Sequence, residues 1–280
     1  MAEKSAIEWT DATFNPWWGC AKVSPGCDNC YAERDASRYQ PGRSLWGLDA
    51  DRRTFGDAHW NEPRRWERRA IKEGRRLRVF CASMADVFDN RDSLLLERAR
   101  LWSLIRETPH LDWLILTKRI GNARKMLPND WGFGYPNVWL GASVVNQEEA
   151  DRDIPKLLKT SAAVRFLSCE PLLGPISLTR LHSHCPVHDF DSGFCSSGCP
   201  DLYTVDWLIV GGESGPRSRP MEWSWARTLR EQCETAGVSF FMKQMSQVLS
   251  PDFKDFARFP ADLQVREWPA SASMSKRQQK

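Results

Sequence analysis

The chain has 280 residues, 41% of them hydrophobic and 27% charged, with a formal net charge of +3. That is enough apolar material for a sizeable core, and too little positive charge to announce a nucleic-acid partner. No apolar stretch approaches ~20 residues, which excludes a membrane-spanning helix, and the polar, acidic first residues argue against a secretory leader. Nine cysteines in such a chain are expected as reduced thiols, metal ligands or small buried hydrophobes in a cytoplasmic setting.

The first distinctive element is a turn-rich run over residues 15–32 that carries Cys20, Cys27 and Cys30, with room for a short strand before it. Its Gly, Pro and Asn residues make the tight turns that let three thiolates converge on one point. Three ligands are one short of a closed tetrahedral zinc site, whereas an iron–sulfur cluster on three cysteines keeps one iron open for a substrate or cofactor. Residues 52–78 follow, rich in arginine and interleaved with His59, Trp60 and Trp66. That combination is able to track a phosphate backbone and stack on bases. A solvated helix face opening at Asn61, Glu62 and Pro63 and stopping at Gly74 explains the same residues.

Six short apolar runs come next, at residues 79–83, 113–117, 138–142, 164–168, 207–211 and 238–242. Each has the length and the β-branched or aromatic content of a buried strand. Helical stretches lie between them. Leu95, Ala99, Trp102 and Ile105 form one stripe in residues 92–107. Residues 146–160 open with Asn146 and Glu149 in capping-box spacing, and Pro155 predicts a break or kink. Residues 221–236 carry Trp225, Leu229 and Cys233 on one face and end at Gly237, a C-cap. The alternation predicts an α/β fold with a parallel sheet and crossover helices, either a partial barrel or an open doubly wound sheet. In both, the functional face lies at the carboxyl ends of the strands.

Polar residues gather at those ends: Ser83 and Asp86, Lys118 and Arg119, Ser143 and Asn146, Glu170, Glu213 and Ser214, then Lys243 and Gln244. Gly211 and Gly212 would let backbone approach a ligand closely, and Glu213 is able to accept hydrogen bonds from an amino group. Between residues 181 and 203 the alternation breaks. Residues 182–199 hold three of the five histidines and three of the nine cysteines. So short a segment cannot build its own core, so Cys185, His188, Cys195 and Cys199 are read as a structural zinc set, with His182 or His184 as substitutes. Cys81, Cys169 and Cys233 are expected as small buried hydrophobes. The resulting plan is one domain over residues 1–268 with the 181–203 insertion, then a mobile tail at 269–280.

Several of these runs together, NPWWGC ending at Cys20, CYA at Cys30, LTKR at residues 116–119, VWLGAS at 138–143, FLSCEP at 166–171 and VGGESG at 210–215, resemble the phage-associated three-cysteine-motif proteins, a family of unknown function. That family in turn resembles the radical S-adenosylmethionine enzymes. The resemblance implies a partial (β/α)6-type barrel in which Cys20, Cys27 and Cys30 hold a [4Fe–4S] cluster. S-adenosylmethionine would chelate the open iron and be cleaved, after electron transfer from a donor, to a 5′-deoxyadenosyl radical that abstracts hydrogen from the substrate. Six residues rather than three separate the first two cysteines, and the Gly-Gly-Glu segment follows a late strand instead of the second. Both Gly211, Gly212, Glu213 and the alternative Asp86 are therefore candidates for the cofactor's amino group. Ser143, Asn146 and Glu170 are candidate contacts to its ribose or methionine. Glu170, Glu213, Lys118 and Lys243 are candidates to orient substrate or manage protons. The basic 52–78 segment points to nucleic acid as substrate, beside a peptide or modified nucleoside. The rival reading is a non-catalytic, zinc-containing nucleic-acid-binding protein of phage origin. A zinc hydrolase is disfavoured because the chain has no HExxH motif.

Overall fold

The computed structural model describes residues 5–39, 42, 44–178, 205–249 and 251–269. The expected insertion at 181–203, with Cys185, His188, Cys195 and Cys199, lies outside the described residues, as does all but the first residue of the expected tail. Among the described residues there are seven strands: β1 (Ala12–Thr13), β2 (Leu77–Cys81), β3 (Leu111–Thr117), β4 (Val138–Ser143), β5 (Val164–Cys169), β6 (Trp207–Gly211) and β7 (Ser239–Gln244). They follow one another in the order β1-β2-β3-β4-β5-β6-β7. The pairs β1–β2, β2–β3, β5–β6 and β6–β7 are parallel, in registers such as Val79 against Trp113 and Leu208 against Phe240. An order without reversal is that of a partial barrel. A doubly wound sheet would need a switch point where the order turns back. Nearly continuous burial along β3 to β6 is the reason these strands are uninterrupted apolar runs rather than alternating ones.

The described residues divide into two compact units on either side of the Gly141–Ala142 bond. The first carries α1 (Tyr31–Tyr39), α2 (Asp57–Trp60), α3 (Glu62–Glu73), α4 (Leu95–Glu107) and α5 (Ile120–Met126), and the second carries α6 (Gln147–Leu158) and α7 (Trp223–Ala236). Helix α3 begins with Pro63 in its first turn and ends at Gly74, whose φ of 63° lets its N–H turn back onto Ala70 and Ile71, a left-handed cap that a side chain would disfavour. Helix α4 departs from the expected stripe. Its buried positions are Arg98, Leu101, Trp102, Leu104 and Ile105, whereas Leu95 is 58% exposed and Ala99 is exposed too. Arg98 takes the inward place because its guanidinium donates to the carbonyls of Val87 and Asp89, an environment that apolar patterning does not register. Helix α6 also corrects an expectation, running through Pro155 without a break. One missing N–H in the last turn costs it a single backbone bond.

The core of the first unit is aromatic, with Phe14 edge-on to Trp60 and Trp113 at 5.3 and 5.7 Å. Such contacts add to the large apolar area each ring removes from water. Cys81, Cys169 and Cys233 are buried as expected, and burial pushes all three thiols up, Cys233 to about 12. Among the described residues no helix is long and apolar enough to cross a membrane.

Candidate functional site

Beyond β1 the chain runs on between two other backbone segments. Gly19 N donates to Met84 O at 3.0 Å on one side. On the other, Trp18 and Arg53 exchange N–H···O bonds of 2.9 Å, Gly47 N donates to Cys20 O at 3.0 Å, and Cys20 bridges Trp46. Gly19 has a φ of 115°, and a Cβ there would lie 2.5 Å from Leu45 O, so only glycine fits beside the 44–53 strap. Asn15 secures the other flank, accepting from Met84 N at 2.7 Å and donating to Ser83 Oγ at 3.1 Å. The backbone of Cys20 is therefore fixed from both sides. Cys27 closes a short 3-10 turn, Pro25–Cys27, that Ser24 caps through Gly26 N at 3.0 Å. Cys30 supplies the carbonyl for the first bond of α1 and, like Trp18 and Trp46, packs against the cluster of Ala32, Ala36 and Met84.

A buried ion pair reaches the first of these thiols. Arg119, just after β3, places Nη1 at 3.2 Å from Cys20 Sγ and 3.3 Å from Asp86 Oδ2, while Nη2 donates to Ala21 O at 2.6 Å. Both side chains are nearly sealed, 8% and 7% exposed. Asp86 also accepts from Thr117 Oγ1 at 2.7 Å, Phe88 N at 2.9 Å and Lys118 N at 3.0 Å, so its oxygens are committed. Burial drives the Cys20 thiol up to about 11, the Asp86 charge adds to that, and Arg119 opposes it. Burial likewise raises Cys30, against the backbone N–H groups that face it and the charge of Lys118. Among the described residues no three His, Cys, Asp or Glu side chains form a group able to hold a metal ion as they stand. The three cysteines lie on one loop, where the charge of Cys27 bears on Cys30. Their donor chemistry nevertheless suits an iron–sulfur cluster: three free thiols, one hydrogen-bonded to a buried cation that offsets thiolate charge.

The strand-terminal residues of the second unit form two separate pairs. Lys243 Nζ donates to Glu170 Oε1, with side chains 13% and 19% exposed. Gly211 lies beside that glutamate, and a Cβ there would make an ordinary contact of 3.4 Å with its Cγ and Cδ. Glu213 instead accepts from Arg219 N, Nε and Nη2 at 2.8, 3.1 and 2.7 Å, a two-pronged grip on its carboxylate. Gly212 is demanded by packing, its backbone bonding Gln244. Ser143 Oγ reaches Glu170 O at 3.5 Å, and Asn146 caps α6 through Glu149 N at 2.9 Å. In the sequence Arg119 stands among the strand-end polar residues and at the end of the LTKR run without a named role, and Arg219 carries no signal there.

The basic 52–78 segment is largely neutralised within the chain. Arg52 pairs with Asp89, Arg64 with Glu107, Arg65 with Glu62 and Arg69 with Glu73. Arg75 and Arg78 share Asp11, and Arg76 takes Asp112. Arg53 lies over Trp18 and Phe55, 5.1 Å from each ring.

The family model described as "Protein of unknown function (DUF5131)" matches residues 4–277. No curated protein and no solved structure matches the chain.

Proposed function

The chain belongs to that family of unknown function, and we propose that it is an iron–sulfur enzyme in which Cys20, Cys27 and Cys30 hold a [4Fe–4S] cluster that works on S-adenosylmethionine. The observation that carries this reading is a loop of three free thiols whose first member accepts a hydrogen bond from the buried Arg119 guanidinium. When bound, the cluster supplies an electron and an open iron for the cofactor, whose cleavage furnishes the radical that abstracts hydrogen.

The chain's own residues prepare the loop for that load. The strap and the Met84 backbone hold Cys20 in place. Arg119 and Lys118 bring positive charge to bear on Cys20 and Cys30. Cys30 packs, half-buried, against the apolar cluster of Ala32, Ala36 and Met84. Asp86 and Glu213, the two carboxylates expected at the cofactor's amino group, serve here as anchors for Arg119 and Arg219. In the second unit, Lys243 Nζ donates to Glu170 Oε1, an ion pair of the residue types that serve as substrate acid or base.

Anaerobic purification followed by iron, sulfide and zinc analysis tests the reading. About four irons and four sulfides per chain are expected, with release of 5′-deoxyadenosine once reductant and S-adenosylmethionine are added, and both lost in Cys27→Ala. Zinc without iron or sulfide would overturn it in favour of the zinc-containing binding protein.

A further inference from the structure

We infer that Arg119 is a positioning residue that sets the electron affinity of the iron–sulfur centre through its hydrogen bond to Cys20 Sγ, an inference that rests on the function proposed above. The guanidinium has no freedom to leave the sulfur. One nitrogen is shared between Cys20 Sγ at 3.2 Å and Asp86 Oδ2 at 3.3 Å, and the other is bonded to Ala21 O at 2.6 Å. Behind it, Asp86 is fixed by three further donors, from Thr117, Lys118 and Phe88. In front of it, Cys20 O accepts from Gly47 N beside Trp46, and the preceding Gly19 N donates to Met84 O. Donor and acceptor are therefore pre-aligned by Asp86 and by the backbone around Cys20, where Ala21 O, which holds Nη2, also accepts from Cys20 Sγ at 3.5 Å.

A planar, permanently charged donor on a ligand sulfur favours the state that carries one more electron, because it stabilises the added negative charge. The Asp86 carboxylate offsets part of that charge but, being acceptor-only when ionised, gives the sulfur no hydrogen bond. Lysine at position 119 would keep the charge and lose the fork that spans Cys20, Ala21 and Asp86. Methionine would lose both.

The test compares wild type, Arg119→Lys and Arg119→Met, each reconstituted anaerobically with iron and sulfide. The centres are titrated with dithionite in the presence of viologen mediators, and the one-electron reduction is followed by electron paramagnetic resonance. Arg227→Met, which breaks an exposed pair with Asp262, serves as control. The midpoint potential is expected to shift to more negative values in Arg119→Lys and further in Arg119→Met, with the control unmoved. A residue that only tethers the loop would lower the amount of centre retained and leave its potential alone. If Arg119→Met retains no iron, Arg119→Lys decides. Iron-loaded variants with the wild-type potential would overturn the inference and leave the proposed function standing. A wild-type protein that takes up no iron would overturn both.

Discussion

At Gly212 the backbone passes so near the chain after β7 that a methyl group has no room: a Cβ would lie 2.2 Å from Ser246 N and 2.6 Å from Met245 C. Those atoms are backbone and cannot swing aside. Gly74 is a glycine for another reason, a φ of 63° with nothing within 4 Å of the missing Cβ. Gly74→Ala is expected to cost about 1 kcal/mol from left-handed strain alone. Gly212→Ala should cost about 3 kcal/mol, the upper range for forcing atoms into a packed interior. Urea denaturation of the two variants checks this, and equal midpoints would show that the close approach at Ser246 is relieved cheaply. The comparison separates a glycine kept for packing from one kept for its left-handed φ.

The 44–53 strap depends on one buried arginine. Arg52 donates to the carbonyls of Leu45, Gly47 and Ala50 and pairs with Asp89 at 2.9 Å, both side chains 2% exposed. Removing one partner of such a pair leaves a buried charge uncompensated, at about 3–5 kcal/mol. Arg52→Met should therefore destabilise the protein by that amount. It should also raise hydrogen exchange at the Trp18 and Arg53 amides, which bond each other's carbonyls, before exchange rises along β3. Unchanged protection at those two amides would mean the strap is held without Arg52. Helix α4 teaches the same lesson, since Arg98 occupies the inward face there on the strength of carbonyl partners.

For the molecule as a whole, ion pairing within residues 52–78 bears on nucleic acid as a partner. With most of those arginines already engaged, few are left to displace counterions. Any affinity for duplex DNA should follow salt with a slope no steeper than about −3, the value for roughly three phosphate contacts. Filter binding between low and moderate salt measures it, and a slope of about −6 or steeper, lost on neutralising Arg64, Arg65 and Arg69, would restore the segment as a nucleic-acid surface. The strand and helix alternation, the end of α3 at Gly74, the cap at Asn146 and the stop at Gly237 were all legible in the sequence. They follow from burial of whole strands and from turn chemistry, which act over a few neighbouring residues. The strand order, the inward Arg98, the spent arginines and the contact of Arg119 with a sulfur 99 residues away were decided by tertiary structure alone. A charged side chain carries no local sign of the partner that packing will bring to it.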